Sequence, residues 1–362
     1  MTLKVRMIAL AAAILPLACG VGTDVLGSAA GTAASENHEI WVTLQASDRI
    51  AILHGPEARG ARRMIDLPAG TGPHLTTFSP DGKYAYVSGM GNGDLDVIQT
   101  GSRRVVNTLH LAPTATHQAK SSPDGSVLLV AQVALKSLIK VSVDEAAQAW
   151  QPGAAALSFA AMGKAPICTI FADNGERAFV SLNPDGLAIV DVATMRLRSV
   201  LPTDGFVACG MVKSTDGRTI TLAAGGSGGH LYRLDTASEQ LSDLGVLGAV
   251  DWHSFNMVPG RTVGFGTVPR GDELRIIDLR GDHASTLAAL ALNPTPGTAN
   301  DQPDNMGVTG DFVYVSLRMS GKIAVVNVPK RTVRYVQLAP AAPAINPANC
   351  AGCAVHGVAI RG

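Results

Sequence analysis

The 362-residue sequence is poor in aromatic residues, which make up 4% of it, and it carries no excess of charge, with 29 Lys plus Arg against 29 Asp plus Glu. No basic run occurs, so the base-stacking surface and electrostatic footprint of a nucleic-acid binder are both missing. No His-Glu-x-x-His motif is present either, which removes one common zinc-hydrolase signature. Gly225 to Gly229 has the composition of a phosphate loop, but neither a helix nor a Lys follows, so it reads as a wide turn between strands. The apolar run from Met7 to Ala18 is too short to span a bilayer. Lys4 and Arg6 precede it, as in a secretory signal.

What the chain has in quantity is glycine, 39 residues, and a recurrent turn. Pro73 to Val106 contains the full unit: an apolar, Thr-rich strand (Leu75 to Phe78), the turn Ser79-Pro80-Asp81-Gly82, an alternating strand (Tyr84 to Ser88), a third strand (Leu95 to Gln99) and a fourth near Val105 to Leu109. Turns of the same kind end at Gly125, Gly175, Gly217, Gly260 and Gly310, spacings of 43, 50, 42, 43 and 50 residues. That is the period of a four-stranded propeller blade. A seventh blade is split: Glu39 to Leu67 supplies strands two to four and Cys353 to Arg361 the first. Joining them closes the ring and removes the free sheet edges.

The expected organisation is a signal peptide over residues 1–18, a flexible tether over 19–37 and one all-β, seven-bladed propeller over 38–362. Pro16-Leu17-Ala18-Cys19 resembles a bacterial lipobox, with Pro where the usual pattern has Leu; cleavage near Ala30 or Ala34 is the alternative. Either reading places the protein in the periplasm or cell envelope. Asp282 to Asp304 and Ala339 to Asn349 read as long connections decorating a face. Tyr84-Ala-Tyr86-Val87-Ser88 and Phe312-Val-Tyr314-Val315-Ser316 resemble the YVTN-repeat propellers, of which YncE-like extracytoplasmic proteins are typical. The resemblance spans the chain from Glu39 onward and implies a fold rather than a chemistry.

Aligning the seven first strands on their turn glycines brings one set of residues to one mouth of the central channel: His74, His117, Ile167 with Cys168, Cys209, Trp252 with His253, Asp304 and His356. With two positions per blade, nine histidines scattered at random would place about 0.4 there; four are present. Neutral imidazole and thiolate suit copper or zinc better than calcium or magnesium, and haem on an axial His is a less favoured alternative. The ring resembles the logic of the nitrous oxide reductase propeller, with too few histidines for that copper cluster. The metal set is thus His74, His117, Cys168, Cys209, His253, Asp304 and His356. A structural reading stands beside it, in which these groups bind water or cap backbone.

Export also permits disulfides. Cys350 and Cys353 can pair or ligate, and Cys168 and Cys209, from adjacent blades, can pair; in that case histidines and Asp304 are the ligands that remain. Covalent haem attachment is disfavoured because Ala354 and Val355 separate Cys353 from His356. His38, His54, His110, His230 and His283 read as surface or loop residues. Three functions follow: a monomeric, lipid-anchored, non-enzymatic metal or cofactor carrier; a scaffold docking an envelope protein; or a redox, lactonase or lyase-type propeller enzyme with Asp304 as the one acid in the ring.

Overall fold

In the computed structural model the described residues are 38–59, 62–226, 228–248, 251–293, 301–342 and 353–362. They form seven antiparallel four-stranded sheets, arranged as the blades of a propeller. Six blades take four consecutive strands each. Their inner strands are Pro73–Phe78 (blade 2), Thr116–Ser121 (blade 3), Ala165–Phe171 (blade 4), Val212–Lys213 (blade 5), Phe255–Met257 (blade 6) and Pro303–Thr309 (blade 7). Blade 1 is composite. Its inner strand, Val358–Arg361, pairs antiparallel with Glu39–Leu44, matching Val358 to Val42 and Arg361 to Glu39.

The alternation seen in Tyr84 to Ser88 has a direct packing consequence. Second and third strands are buried on both faces, since each lies between two neighbouring blades, and the apolar clusters sit at those interfaces. Trp41, Ile50 and Ile52 of blade 1 meet Ala85, Val87 and Ile98 of blade 2. Tyr86 and Val97 meet Leu128 and Val130 of blade 3. The same arrangement continues around to blade 7, whose Tyr314, Ile323 and Val325 pack on Ile40 and Val42. The turn chemistry also holds: Gly82, at φ +69°, donates its N–H to Ser79 O at 2.9 Å, and Ser79 Oγ bonds Asp81 at 2.7 Å.

Two readings of the sequence need correction. Asp282 to Asp304 is not all connection, because Ser285–Ala291 is the outer strand of blade 6. Its Ala- and Leu-rich sequence has one β-branched residue, Thr286, and so signals a strand weakly; pairing with Glu273–Asp278 makes it one. His38 is 2% exposed and hydrogen-bonds Tyr314 Oη at 2.9 Å, so it is a buried contact between blades 1 and 7. Residues 343–352, with Cys350, lie outside the described residues, as do residues 1–37, on which the expected signal peptide and tether fall. Among the described residues no helix is long and apolar enough to cross a membrane.

Truncation before Val358 deletes the inner strand of blade 1 and with it the packing of Val358 and Ile360. The loss expected is about 4 kcal/mol, roughly 2 for each branched side chain returned to water, read as a lower urea midpoint with loss of a single cooperative transition.

Candidate metal centre

The inner strands begin with a shared irregularity. In blades 2, 3, 4 and 7 the register with the second strand shifts between Pro73 and Thr76, Thr116 and Gln118, Pro166 and Thr169, and Pro303 and Met306. These β-bulges fall on His74, His117, Cys168 and Asp304, and a bulge re-aims the side chain it carries. A hydroxyl from the second strand then holds the loosened backbone. Ser88 Oγ takes the Leu75 N–H, Ser181 Oγ the Cys168 N–H, Thr267 Oγ1 the Ser254 N–H, Ser316 Oγ the Asn305 N–H and Thr43 Oγ1 the Gly357 N–H, all at 2.6–3.1 Å. Three of the hydroxyls also donate across to the next blade's ring residue: Thr43 to His74 O (2.9 Å), Ser88 to His117 O (2.6 Å) and Thr267 to Asp304 O (2.6 Å). Sequence reading missed this device, although Ser88, Ser316 and their counterparts occupy one position of the repeat.

All the ring residues named from the sequence converge on the channel mouth, in two groups. Blades 6, 7 and 1 bring together His253, Asp304 and His356, whose donor atoms lie within 4.8 Å of one another. Asp304 is fully buried; its Oδ1 is 2.5 Å from His253 Nε2 and its Oδ2 3.2 Å from His356 Nε2 and 3.4 Å from Arg318 Nη1. Blades 3, 4 and 5 bring together His117, Cys168 and Cys209, also within 4.8 Å. Here Cys168 and Cys209 are joined as a disulfide with Cα atoms 5.7 Å apart, so neither offers a thiolate in this state. The ligand set is then the one expected for paired cysteines, histidines with Asp304. Cys353 is also disulfide-bonded. His74 of blade 2 links the groups, stacking on His356 at 3.6 Å between ring centroids and meeting His117 edge-on at 4.5 Å.

The protonation pattern is specific. Burial, reinforced by the neighbouring imidazoles, holds His74 well below its ordinary value; burial pulls His117 down to about 3 and His356 to about 4. Burial would raise the Asp304 carboxyl, but His253, His356 and Arg318 outweigh it and hold it below the usual carboxylate range. At neutral pH, then, the carboxylate is ionised and these imidazoles are neutral. His356 Nδ1 lies 3.1 Å from His74 O, an oxygen that can only accept, so the proton sits on Nδ1 and Nε2 keeps its lone pair. His74 Nδ1 likewise meets Gln45 Oε1 at 3.1 Å, and its buried Nε2 has no hydrogen-bond partner. Fixing one ring nitrogen so that the other faces inward is how metal-binding histidines are set. The lone pairs of His356 Nε2 and of an ionised Asp304 Oδ2 therefore face each other at 3.2 Å, an arrangement that a cation between them would relieve.

A cavity of about 310 Å³ opens over the group on blades 6, 7 and 1, lined by Phe206, Trp252, His253, Arg270, Gln302 and Arg318 among others. Arg318, 7% exposed, donates Nε–H to Gln302 Oε1 at 2.7 Å and so is fixed beside Asp304. Trp252 lines the cavity and packs in the interface between blades 5 and 6. It rests on Gly266, where an added Cβ would come within 1.5 Å of Trp252 Cζ3.

No family model matches the chain, and no curated protein matches it. Many solved structures do, and all likeness is in the fold. A Kuenenia stuttgartiensis hydrazine synthase chain shares 15% identity over 75% of this chain and 88% of its own, with a TM-score of 0.63. The dihydro-heme d1 dehydrogenase NirN in complex with DHE shares 14% over 90% and 76% (TM-score 0.60), and the Dos1 propeller 13% over 83% and 85% (TM-score 0.59). Identities this low place the chain among β-propellers and carry nothing further.

Two outcomes are expected. Gly266→Ala forces Trp252 off its seat at a cost of roughly 1–3 kcal/mol in urea unfolding, and because His253 is the next residue it also weakens metal uptake. Acid titration of metal-free protein gives the second. His74, His117 and His356 have folded pKa values below the unfolded 6.5, so the unfolded chain binds more protons beneath that pH. Stability present above pH 6.5 is lost as pH falls toward 4; a His74→Gln/His356→Gln variant shows a shallower decline in urea midpoint.

Proposed function

We propose that this protein is an exported propeller that holds one transition-metal ion, zinc or copper(II), between His253, Asp304 and His356, with His74 adjoining. The observation that carries the reading is the convergence of three donor groups from blades 6, 7 and 1, with Asp304 Oδ1 2.5 Å from His253 Nε2 and Oδ2 3.2 Å from His356 Nε2. Two imidazoles and a carboxylate from three separate blades suit zinc, copper or iron, and an ion there takes the place of the proton that His253 Nε2 shares with Asp304 Oδ1 at 2.5 Å. The close stacking of His74 on His356 leaves no gap for a macrocycle, and a cavity of about 310 Å³ is at the low end for an organic cofactor; both support an ion over haem, even though the NirN structure is titled with a haem compound. The role that fits is storage, delivery or sensing in the cell envelope, by a monomer tethered through Cys19 and serving an envelope partner. The cavity against His253 favours a second reading, in which a small molecule occupies an open coordination position and the ion acts as Lewis acid.

Mature protein purified without chelator is expected to bind one equivalent of zinc or copper(II) in a competition titration. Asp304→Asn and His356→Ala each lower affinity by at least 100-fold while far-UV circular dichroism stays unchanged. Thr267→Val, which removes the hydroxyl that holds Asp304 O, lowers it by about tenfold. Folded wild-type protein that takes up neither ion defeats the proposal.

A further inference from the structure

The group on blades 3, 4 and 5 is not consumed by the first site. His117 Nδ1 lies 4.0 Å from Cys168 Sγ, and His117, Cys168 and Cys209 keep their donor atoms within 4.8 Å. Each comes from the inner segment of a separate blade, and two of the three are fixed by their backbones: Cys168 N–H by Ser181 Oγ at 2.9 Å, and Cys209 N–H by His253 O at 3.1 Å. The surroundings are apolar, with Leu75, Ile167, Val133 and Phe206 packed around the sulfurs. Phe206, half-buried, is also a wall of the cavity over His253, so one side chain borders both the cavity and the cluster that holds the disulfide.

We propose that His117, Cys168 and Cys209 form a second metal site, for a thiophilic ion such as zinc or copper(I), which exists only when the Cys168–Cys209 disulfide is reduced. The step balances as thiol–disulfide exchange: a dithiol supplies two electrons and two protons, the S–S bond breaks to two thiols, and the dithiol becomes a disulfide. The incoming ion displaces both thiol protons and is held by two thiolates and one imidazole, leaving a fourth position open. Tetrahedral thiolates at about 2.3 Å from zinc lie roughly 3.7 Å apart, which the freed side chains reach by rotation about Cα–Cβ. Soft thiolate donors in a dry apolar pocket select zinc or copper(I) over oxygen-seeking ions. His74, in contact with both His117 and His356, lies on the path between this site and the first one. In the reverse exchange a disulfide in the surroundings takes the two electrons and is reduced to a dithiol as the Cys168–Cys209 bond re-forms and the ion leaves, so the site reports the thiol redox state of its surroundings.

The test uses full-length mature protein carrying His253→Ala and Asp304→Asn, so that failure of the first site cannot be confused with failure of this one. Zinc stoichiometry is measured against a chromophoric chelator before and after reduction with a phosphine under argon. The expected result is no zinc when oxidised and one equivalent when reduced, with sulfur scatterers at about 2.3 Å in X-ray absorption. Adding Cys168→Ser and Cys209→Ser abolishes the uptake, and His117→Ala weakens it by tenfold or more. Reduced, folded protein that binds no zinc overturns the proposal. So does uptake that survives both serine substitutions, since that would place the ion on other thiols such as Cys353.

Discussion

Pairing of Val358–Arg361 with Glu39–Leu44 is the constraint on which the rest depends. A propeller without it has two free sheet edges and an incomplete channel. With it, His356 at the end of the chain comes to lie between His74 and Asp304, 282 and 52 residues away in sequence. The segment before the strand is tied to the same frame: His356 N–H donates to Thr43 O at 3.0 Å, and Thr43 N–H to Gly357 O at 3.0 Å. Ring closure and site assembly are therefore one event.

Closure alone would leave seven strand ends pointing wherever the pleat sends them. The bulges turn the first residues of the inner strands toward the mouth, and the buried hydroxyls of Thr43, Ser88, Ser181, Thr267 and Ser316 hold them there by bonding within the blade and, in three cases, to the next one. Blades 3 and 5 have Ala131 and Ala223 at the equivalent position. The mouth divides accordingly into consecutive blades: 6, 7 and 1 carry imidazoles and a carboxylate, 3, 4 and 5 carry an imidazole and a disulfide, and His74 of blade 2 touches both sides. His253 and His356, with Arg318, keep the buried Asp304 carboxyl ionised in surroundings that would otherwise protonate it.

Much of this was legible in the sequence because a propeller repeats. The spacing from Gly82 to Gly310 gives the blade period, and aligning the turns places His74, His117, Cys168, Cys209, His253, Asp304 and His356 at one mouth. What the alignment cannot supply is side-chain direction, which the bulges decide, or the pairing of Cys168 with Cys209, which depends on the spacing of two neighbouring blades in space. Ser285–Ala291 was hidden because an exposed outer strand needs no strong strand formers. His38 read as a loop residue because its partner, Tyr314, is 276 positions away.

The central claim is that three consecutive blades hold one ion between an ionised carboxylate and two imidazoles. The most direct measurement is anomalous diffraction from crystals of the oxidised protein soaked in zinc, with data on both sides of the metal edge. The account predicts a single strong peak within about 2.2 Å of His253 Nε2, His356 Nε2 and an Asp304 oxygen, and none beside the Cys168–Cys209 disulfide. A channel mouth without any metal peak, or a peak bound only by surface carboxylates, would contradict it.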